Sequence, residues 1–147
     1  ATIAKDFVEG LGDIPVNPNT FIVIGTRGHR EDDMCLEAAA QTNAGYVGLL
    51  GSKRKVILIY EELLKHGISP ERIRSLRAPI GLDIRARTPE EIAVSVVAEL
   101  VQARLGGEGK PMRLEERRIA KIIDKLAKAR EKAGSIAHAA QWSLPKI

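Results

Sequence analysis

Two apolar, β-branched runs, each followed by a polar turn and a helix-patterned segment, constrain this chain more than any other feature of it. TFIVIGT (residues 20–26) follows the turn-prone PVNPN and lacks the alternation of a strand with one wet face. That pattern predicts a strand buried on both sides, as in a parallel sheet. RGHREDD leads from it into a helix running to about Asn43. YVGLLG (46–51) repeats the strand pattern, and SKRKVILIYEELLKHG predicts a second helix with Val56, Leu58, Ile59, Leu63 and Leu64 on its apolar side and Gly67 in the C′ position. Two strand–helix units in succession imply an α/β sheet joined by crossovers, and 147 residues suffice for one ordinary core.

Beyond Gly67, SPERIR predicts one short helical turn, and SLRAPIGLDIRAR another strand and a long loop. TPEEIAVSVVAELVQARL then predicts a helix with a well-specified start: Thr88 at the N-cap, Pro89 first in the helix, and Glu91 three residues after the cap, which completes a capping box. GGEGKP (106–111) interrupts that helix and marks a boundary between a domain at 1–105 and a tail at 106–147. The tail places Ile119, Ile122, Ile123 and Leu126 on one face of an amphipathic helix. It also holds the basic excess: residues 1–105 carry 13 Lys and Arg against 14 Asp and Glu, residues 106–147 carry 10 against 5. Within RLEERRIAKIIDKLAKAREKA no aromatic residue interleaves the cations and no nucleic-acid motif accompanies them, so a solvated face is the expectation. No charged-then-apolar leader opens the chain and no apolar run nears the roughly 18 residues that cross a bilayer, which predicts a cytoplasmic protein. Cys35 has no cysteine partner and reads as a buried small hydrophobe.

Three segments fall where a strand gives way to a loop or helix, and open parallel sheets bind ligands at the carboxyl ends of their strands. In GSKRK, Gly51 permits close approach to the backbone, Ser52 caps, and Lys53, Arg54 and Lys55 occupy a first helical turn. Cations there oppose the helix dipole, so their placement points to an anionic ligand, with side chains splayed into solvent as the alternative. TRGHREDD offers Thr26, Arg27, Gly28 and His29 as a polar, ligand-facing loop; a metal site using His29 with Glu31, Asp32 and Asp33 is the weaker reading, because acids in a first turn already complement the dipole. The third segment is PIGLD, with Pro79, Gly81 and Asp83. GxGxxG is missing from the sequence, so dinucleotide binding through the usual phosphate loop has no support, and no nucleophile signature is present.

TRGHREDD, YVGLLGSKRK and PIGLDIRARTPEEIAVSVVAEL, in this order, resemble the C-terminal Rossmann-like domain of the XdhC/CoxF family, the xanthine dehydrogenase accessory proteins, from about Ile3 to Arg104. The resemblance implies a partial Rossmann-like three-layer parallel sheet with flanking helices, and a chaperone that binds the molybdenum cofactor as molybdopterin or its dinucleotide form. It further implies a cysteine desulfurase as partner during sulfuration and a molybdenum hydroxylase such as xanthine dehydrogenase as client. On that reading Thr26, Arg27, Gly28, His29, Gly48, Gly51, Ser52, Lys53, Arg54, Lys55, Pro79, Gly81 and Asp83 are the candidate cofactor-binding residues. The alternative is an NAD(P)- or flavin-linked oxidoreductase on the same kind of sheet.

Three departures from the family pattern carry expectations of their own. The glycine-rich GAGHVA-like turn with its first βαβ portion has no counterpart here, which leaves a sheet of about three or four strands with an edge to be covered by a second copy of the chain, by another protein carrying the missing half, or by the tail helix. The family's N-terminal domain, with its molybdenum-associated cysteine, is also unmatched, and Cys35 does not inherit that role. The family's DIGA-type segment reads Asp83-Ile84-Arg85-Ala86, so arginine replaces a glycine and the backbone there is expected to avoid positive φ.

Overall fold

The computed structural model describes residues 6–26 and 29–141. It divides into two compact units, residues 1–109 and 110–147.

The first unit opens with α1 (Phe7–Gly12), a short helix that no pattern in the sequence announces and that Asp6 caps by accepting from the Val8 and Glu9 amides. β1 (Phe21–Ile24) and β2 (Tyr46–Leu49) pair in parallel, with Phe21 opposite Tyr46 and Ile24 opposite Leu49. Between them runs α2 (His29–Ala40), and after β2 comes α3 (Lys53–Lys65). α4 (Pro70–Ser75) and α5 (Pro89–Leu105) complete the unit.

The third strand expected from SLRAPIG is reduced to one residue. Arg77 bridges Gly48 in parallel, donating its amide to Val47 and accepting from that of Leu49, each at 2.9 Å. Two residues further on Pro79 has no N–H to donate, so the ladder does not extend as a regular strand. The chain crosses β2 and leaves as a loop.

Side chains alternate across this small sheet. Ile22, Ile24, Val47 and Leu49 face α2 and α3, where they form the core with Leu36, Ala39, Ala40, Val56, Ile59, Leu63 and Leu76. Leu36, Leu49, Leu63 and Val47 are fully enclosed. The apolar side of α3 is narrower than its sequence suggests: Val56, Ile59 and Leu63 are buried, whereas Leu58 and Leu64 are exposed, because only one face meets the sheet. Phe21 and Tyr46 point to the other face, where their rings stack at 5.0 Å, and α5 lies over that side. Helices on both faces of a parallel sheet make a partial Rossmann-like, three-layer α/β unit.

The helix ends follow local chemistry. Ser52 caps α3 through the Lys55 amide, and the helix closes with His66 followed by Gly67 at φ 88°. Thr88 and Glu91 form a reciprocal capping box at the start of α5, with Pro89 in the first turn, as the sequence indicates. Arg72 of α4 makes contacts that no local pattern announces. Its guanidinium donates to the carbonyls of Ala39, Ala40, Thr42 and Ala44 at 2.9–3.4 Å, satisfying the C-terminal end of α2 and the approach to β2.

The second unit is α6 (Glu116–Gln141), whose Ile122, Ile123 and Leu126 are all more than half exposed.

Candidate functional site

The three sequence segments meet at the carboxyl ends of β1 and β2, though not as equal contributors. At the end of β1, Thr26 donates to Asp32 Oδ1 through its amide (3.3 Å) and its hydroxyl (2.5 Å). Asp32 Oδ2 is ion-paired with Lys55 Nζ. The carboxylate is 3% exposed and the ammonium 15%, so the pair joins the first turn of α2 to the first turn of α3 beneath the surface. Burial opposes ionisation of Asp32, but the hydrogen bonds from Lys55 and Thr26 and the charge of Lys55 outweigh it and hold the carboxyl below its ordinary value.

This pair divides the three consecutive cations. Lys55 is committed to Asp32, whereas Lys53 and Arg54 are exposed and make no ion pair among the described residues. They flank the N-terminus of α3, where the first-turn amides point outward. Ser52 is the N-cap, its Oγ accepting from the Lys55 amide at 3.3 Å. Arg27 and Gly28 lie outside the described residues, as does the side chain of His29, which opens α2. Among the described residues no cluster of three His, Cys, Asp or Glu side chains could hold a metal ion.

A cavity of about 250 Å³ brings the second and third segments together: Leu50 and Gly51 form one wall, the loop 80–86 another, and Ile92 and Ser95 of α5 the back. Gly81 sits there at φ 113°, and an added Cβ would come within 2.5 Å of Ser95 Oγ, so the position requires glycine both for its backbone and for its space. Gly48 does not reach this surface. It is buried in β2, and a Cβ on it would meet Ile80 Cδ1 at 2.5 Å; its part is to let the loop of Pro79 and Ile80 close over the strand. Asp83 is exposed at the cavity wall and accepts from the Arg85 amide at 3.3 Å.

Arg85 overturns one expectation. It adopts φ 57°, the left-handed region that its side chain was expected to avoid. The Asp83 carboxylate and the Ile84 amide, which donates to Leu82 O at 2.8 Å, hold a tight turn that forces the conformation, at a cost of about 1 kcal/mol. The turn places a further cation at the cavity wall.

Glu99 is the residue that sequence reasoning missed. Its carboxylate accepts from the Tyr46 hydroxyl at 3.0 Å and from the Gly81 amide at 2.5 Å, fastening the cavity loop to the sheet through α5. Burial, then the charge and hydrogen bond of Glu99, push the Tyr46 hydroxyl well above its ordinary value, so it stays a donor. A lone acid inside IAVSVVAELV is the signal that points to such a buried contact. A groove of about 810 Å³ lies elsewhere, between β1 and the outer side of α5; among the described residues its lining is mostly apolar, with Asn19 and Arg104 as the polar side chains.

Residues 2–100 match the family described as the XdhC Rossmann domain. The chain is 35% identical over 106 residues to the uncharacterized protein YqeB of Escherichia coli, covering 72% of this chain and 19% of that one. It is 36% identical to a Bacillus subtilis protein named as a probable xanthine dehydrogenase subunit (64% and 26% covered), and 31% identical to the molybdenum cofactor insertion chaperone PaoD of E. coli (70% and 32%). A crystal structure described as a xanthine dehydrogenase from Bacillus halodurans superposes with a TM-score of 0.59 at 32% identity, over 71% of this chain and 30% of that chain. The chain thus spans between a fifth and a third of the length of these curated relatives. Among the described residues no helix is long and apolar enough to cross a membrane.

Proposed function

Because the chain belongs to the XdhC Rossmann-domain family, we propose that it is a cofactor-binding module in the maturation of molybdenum hydroxylases of the xanthine dehydrogenase type. Its cargo on this reading is the molybdenum cofactor, as molybdopterin or its dinucleotide, received and protected during sulfuration by a cysteine desulfurase and then delivered to the client enzyme. A relative that carries the name of a cofactor insertion chaperone, and another that carries the name of a xanthine dehydrogenase component, support the assignment.

The observation that carries it is the position of the exposed Lys53 and Arg54 at the start of α3, beside the cavity that Gly51 shares with the loop 80–86. The cofactor offers a phosphate and an anionic metal-dithiolene group joined to a heterocycle rich in N–H groups. The outward amides and two cations of α3 would take an anionic end, Arg85 would add charge at the wall, and Asp83 with the loop backbone would face the heterocycle. Thr26, Asp32 and Lys55 act behind this surface, holding the two loops in register. The residues present fit the anionic part of the group.

Purification of the full chain from a host that makes molybdenum cofactor, followed by acid oxidation and fluorescence detection of the released pterin, tests the proposal. Pterin retained in proportion to protein supports it. A pterin-free protein that binds NADP or a flavin transfers the reading to an oxidoreductase.

A further inference from the structure

We infer that Glu99 is the positioning residue of the cavity at loop 80–86, setting the backbone against which the ligand is held without lining the cavity itself. The inference rests on the reading of that cavity as the cofactor site. Three successive amides tie the loop down. Ile80 N–H donates to the Leu49 carbonyl of β2 at 2.9 Å, Gly81 N–H to Glu99 Oε2 at 2.5 Å, and Leu82 N–H to the Ser95 carbonyl of α5 at 3.2 Å. Only the middle bond depends on a side chain. Further along, the Ile84 amide donates to Leu82 and the Arg85 amide to Asp83, so residues 83–86 take their place in the molecule from the anchor at 80–82.

Glu99 follows Ser95 by one helical turn, on the same face of α5. The loop is pressed onto that face, since a Cβ on Gly81 would come within 2.5 Å of Ser95 Oγ. From there a glutamate reaches two donors at once: Oε1 accepts from the Tyr46 hydroxyl at 3.0 Å while Oε2 accepts from Gly81. An ionised carboxylate carries acceptors only, which matches a site that presents two donors. Tyr46 is buried in β2 and its ring stacks on Phe21 at 5.0 Å, so the sheet is the fixed side of the clamp and the cavity loop is the side it places. All of these contacts lie inside the first unit.

Position, not charge, is what the clamp supplies. A negative charge behind a surface that receives an anion opposes the ligand, so the carboxylate serves binding only through the backbone it holds. A glutamine has the same length and shape: its carbonyl can accept from Gly81 while its amide donates to the Tyr46 oxygen. An aspartate keeps the charge but is one methylene shorter, and cannot reach both donors. These two substitutions separate geometry from charge.

Pterin retained by the full chain and the exchange of individual backbone amides are measured for the parent, Glu99→Gln and Glu99→Asp. Glu99→Asp is expected to lose protection at Gly81 and Leu82 and to retain about tenfold less pterin, while the amides of β2 and α3 exchange as in the parent. Glu99→Gln is expected to keep loop protection and pterin near the parental level. The reverse pattern, with pterin kept by Glu99→Asp and lost by Glu99→Gln, would make the charge the active element and overturns the inference. So does parental loop exchange in Glu99→Asp, or a loss of pterin that follows global stability in a urea titration for both variants alike. Pterin missing from the parent removes the cofactor reading alone; loop exchange then decides, and protection lost with aspartate but kept with glutamine upholds Glu99 as the group that sets the loop.

Discussion

Lys55→Met tests whether the first turn of α3 is held by a buried charge pair. The substitution keeps the length and the apolar stem and removes only the ammonium, leaving Asp32 with a side chain 3% exposed and two Thr26 donors on Oδ1. Removing one member of a buried pair costs about 3–5 kcal/mol. Asp32 sets a ceiling on that figure, because it can escape by taking a proton: from an ordinary value of 3.8, protonation at pH 7 costs about 4 kcal/mol. With Thr26 still donating and Lys55 15% exposed in the parent, about 3 kcal/mol is expected. Asp32→Asn should cost less, about 2 kcal/mol, since the amide oxygen still accepts from Thr26 and the freed ammonium can reach water. The two losses overlap, so the double variant should show a coupling energy of about 2 kcal/mol.

Urea unfolding followed by circular dichroism measures all four species. The pH dependence has a defined sign. The folded carboxyl of Asp32 lies below 3.8, so its contribution is fully present above that value and is lost as pH falls through the folded value; the gap between parent and Asp32→Asn should close only in that acid window. A cost below about 0.5 kcal/mol for Lys55→Met, or strictly additive single variants, would show a surface-like pair and refute the reasoning.

The remaining predictions separate binding from folding. Lys53→Ala with Arg54→Ala should reduce retained pterin in low salt while leaving the urea midpoint unchanged or slightly raised, since it relieves repulsion at a helix N-terminus; undiminished pterin removes the anion site. Thr88→Ala should lower stability by about 1 kcal/mol through loss of the cap and leave pterin retention intact; the reverse pattern would make Thr88 a ligand-binding residue. Arg72→Lys should cost about 2 kcal/mol in a urea titration, because an ammonium cannot span the carbonyls of Ala40, Thr42 and Ala44, and a neutral result would mean that water replaces the fork without loss. Cys35, buried and with its thiol pushed up first by burial and then by neighbouring carboxylates, should react with a thiol reagent only when the chain is unfolded; prompt labelling in native buffer would count against its place in the core.

What the sequence reveals about this unit, and what it hides, divides by the range of the interaction. The positions of the strands β1 and β2, the capping box of Thr88 and Glu91 and the Gly67 terminus are legible because each depends on residues within a few positions, but only β2 is buried on both faces as the pattern predicts: in β1, Phe21 and Val23 are 39% and 48% exposed. Lys53, Arg54 and Lys55 read alike in the sequence, yet consecutive residues on a helix point about 100° apart, so only one of the three faces inward, toward an acid 23 positions earlier. The Arg72 fork and the Glu99 clamp are long-range in the same way, and the positive φ of Arg85 is set by the hydrogen bonds of its turn, which residue type alone does not reveal. The consequence falls on the candidate site itself. A cation whose charge is already neutralised by a buried acid has little field left for a ligand, whereas exposed cations at a helix N-terminus keep theirs. Any anion recognised at α3 must therefore be held by Lys53, Arg54 and the free amides, with Lys55 acting through the backbone it positions.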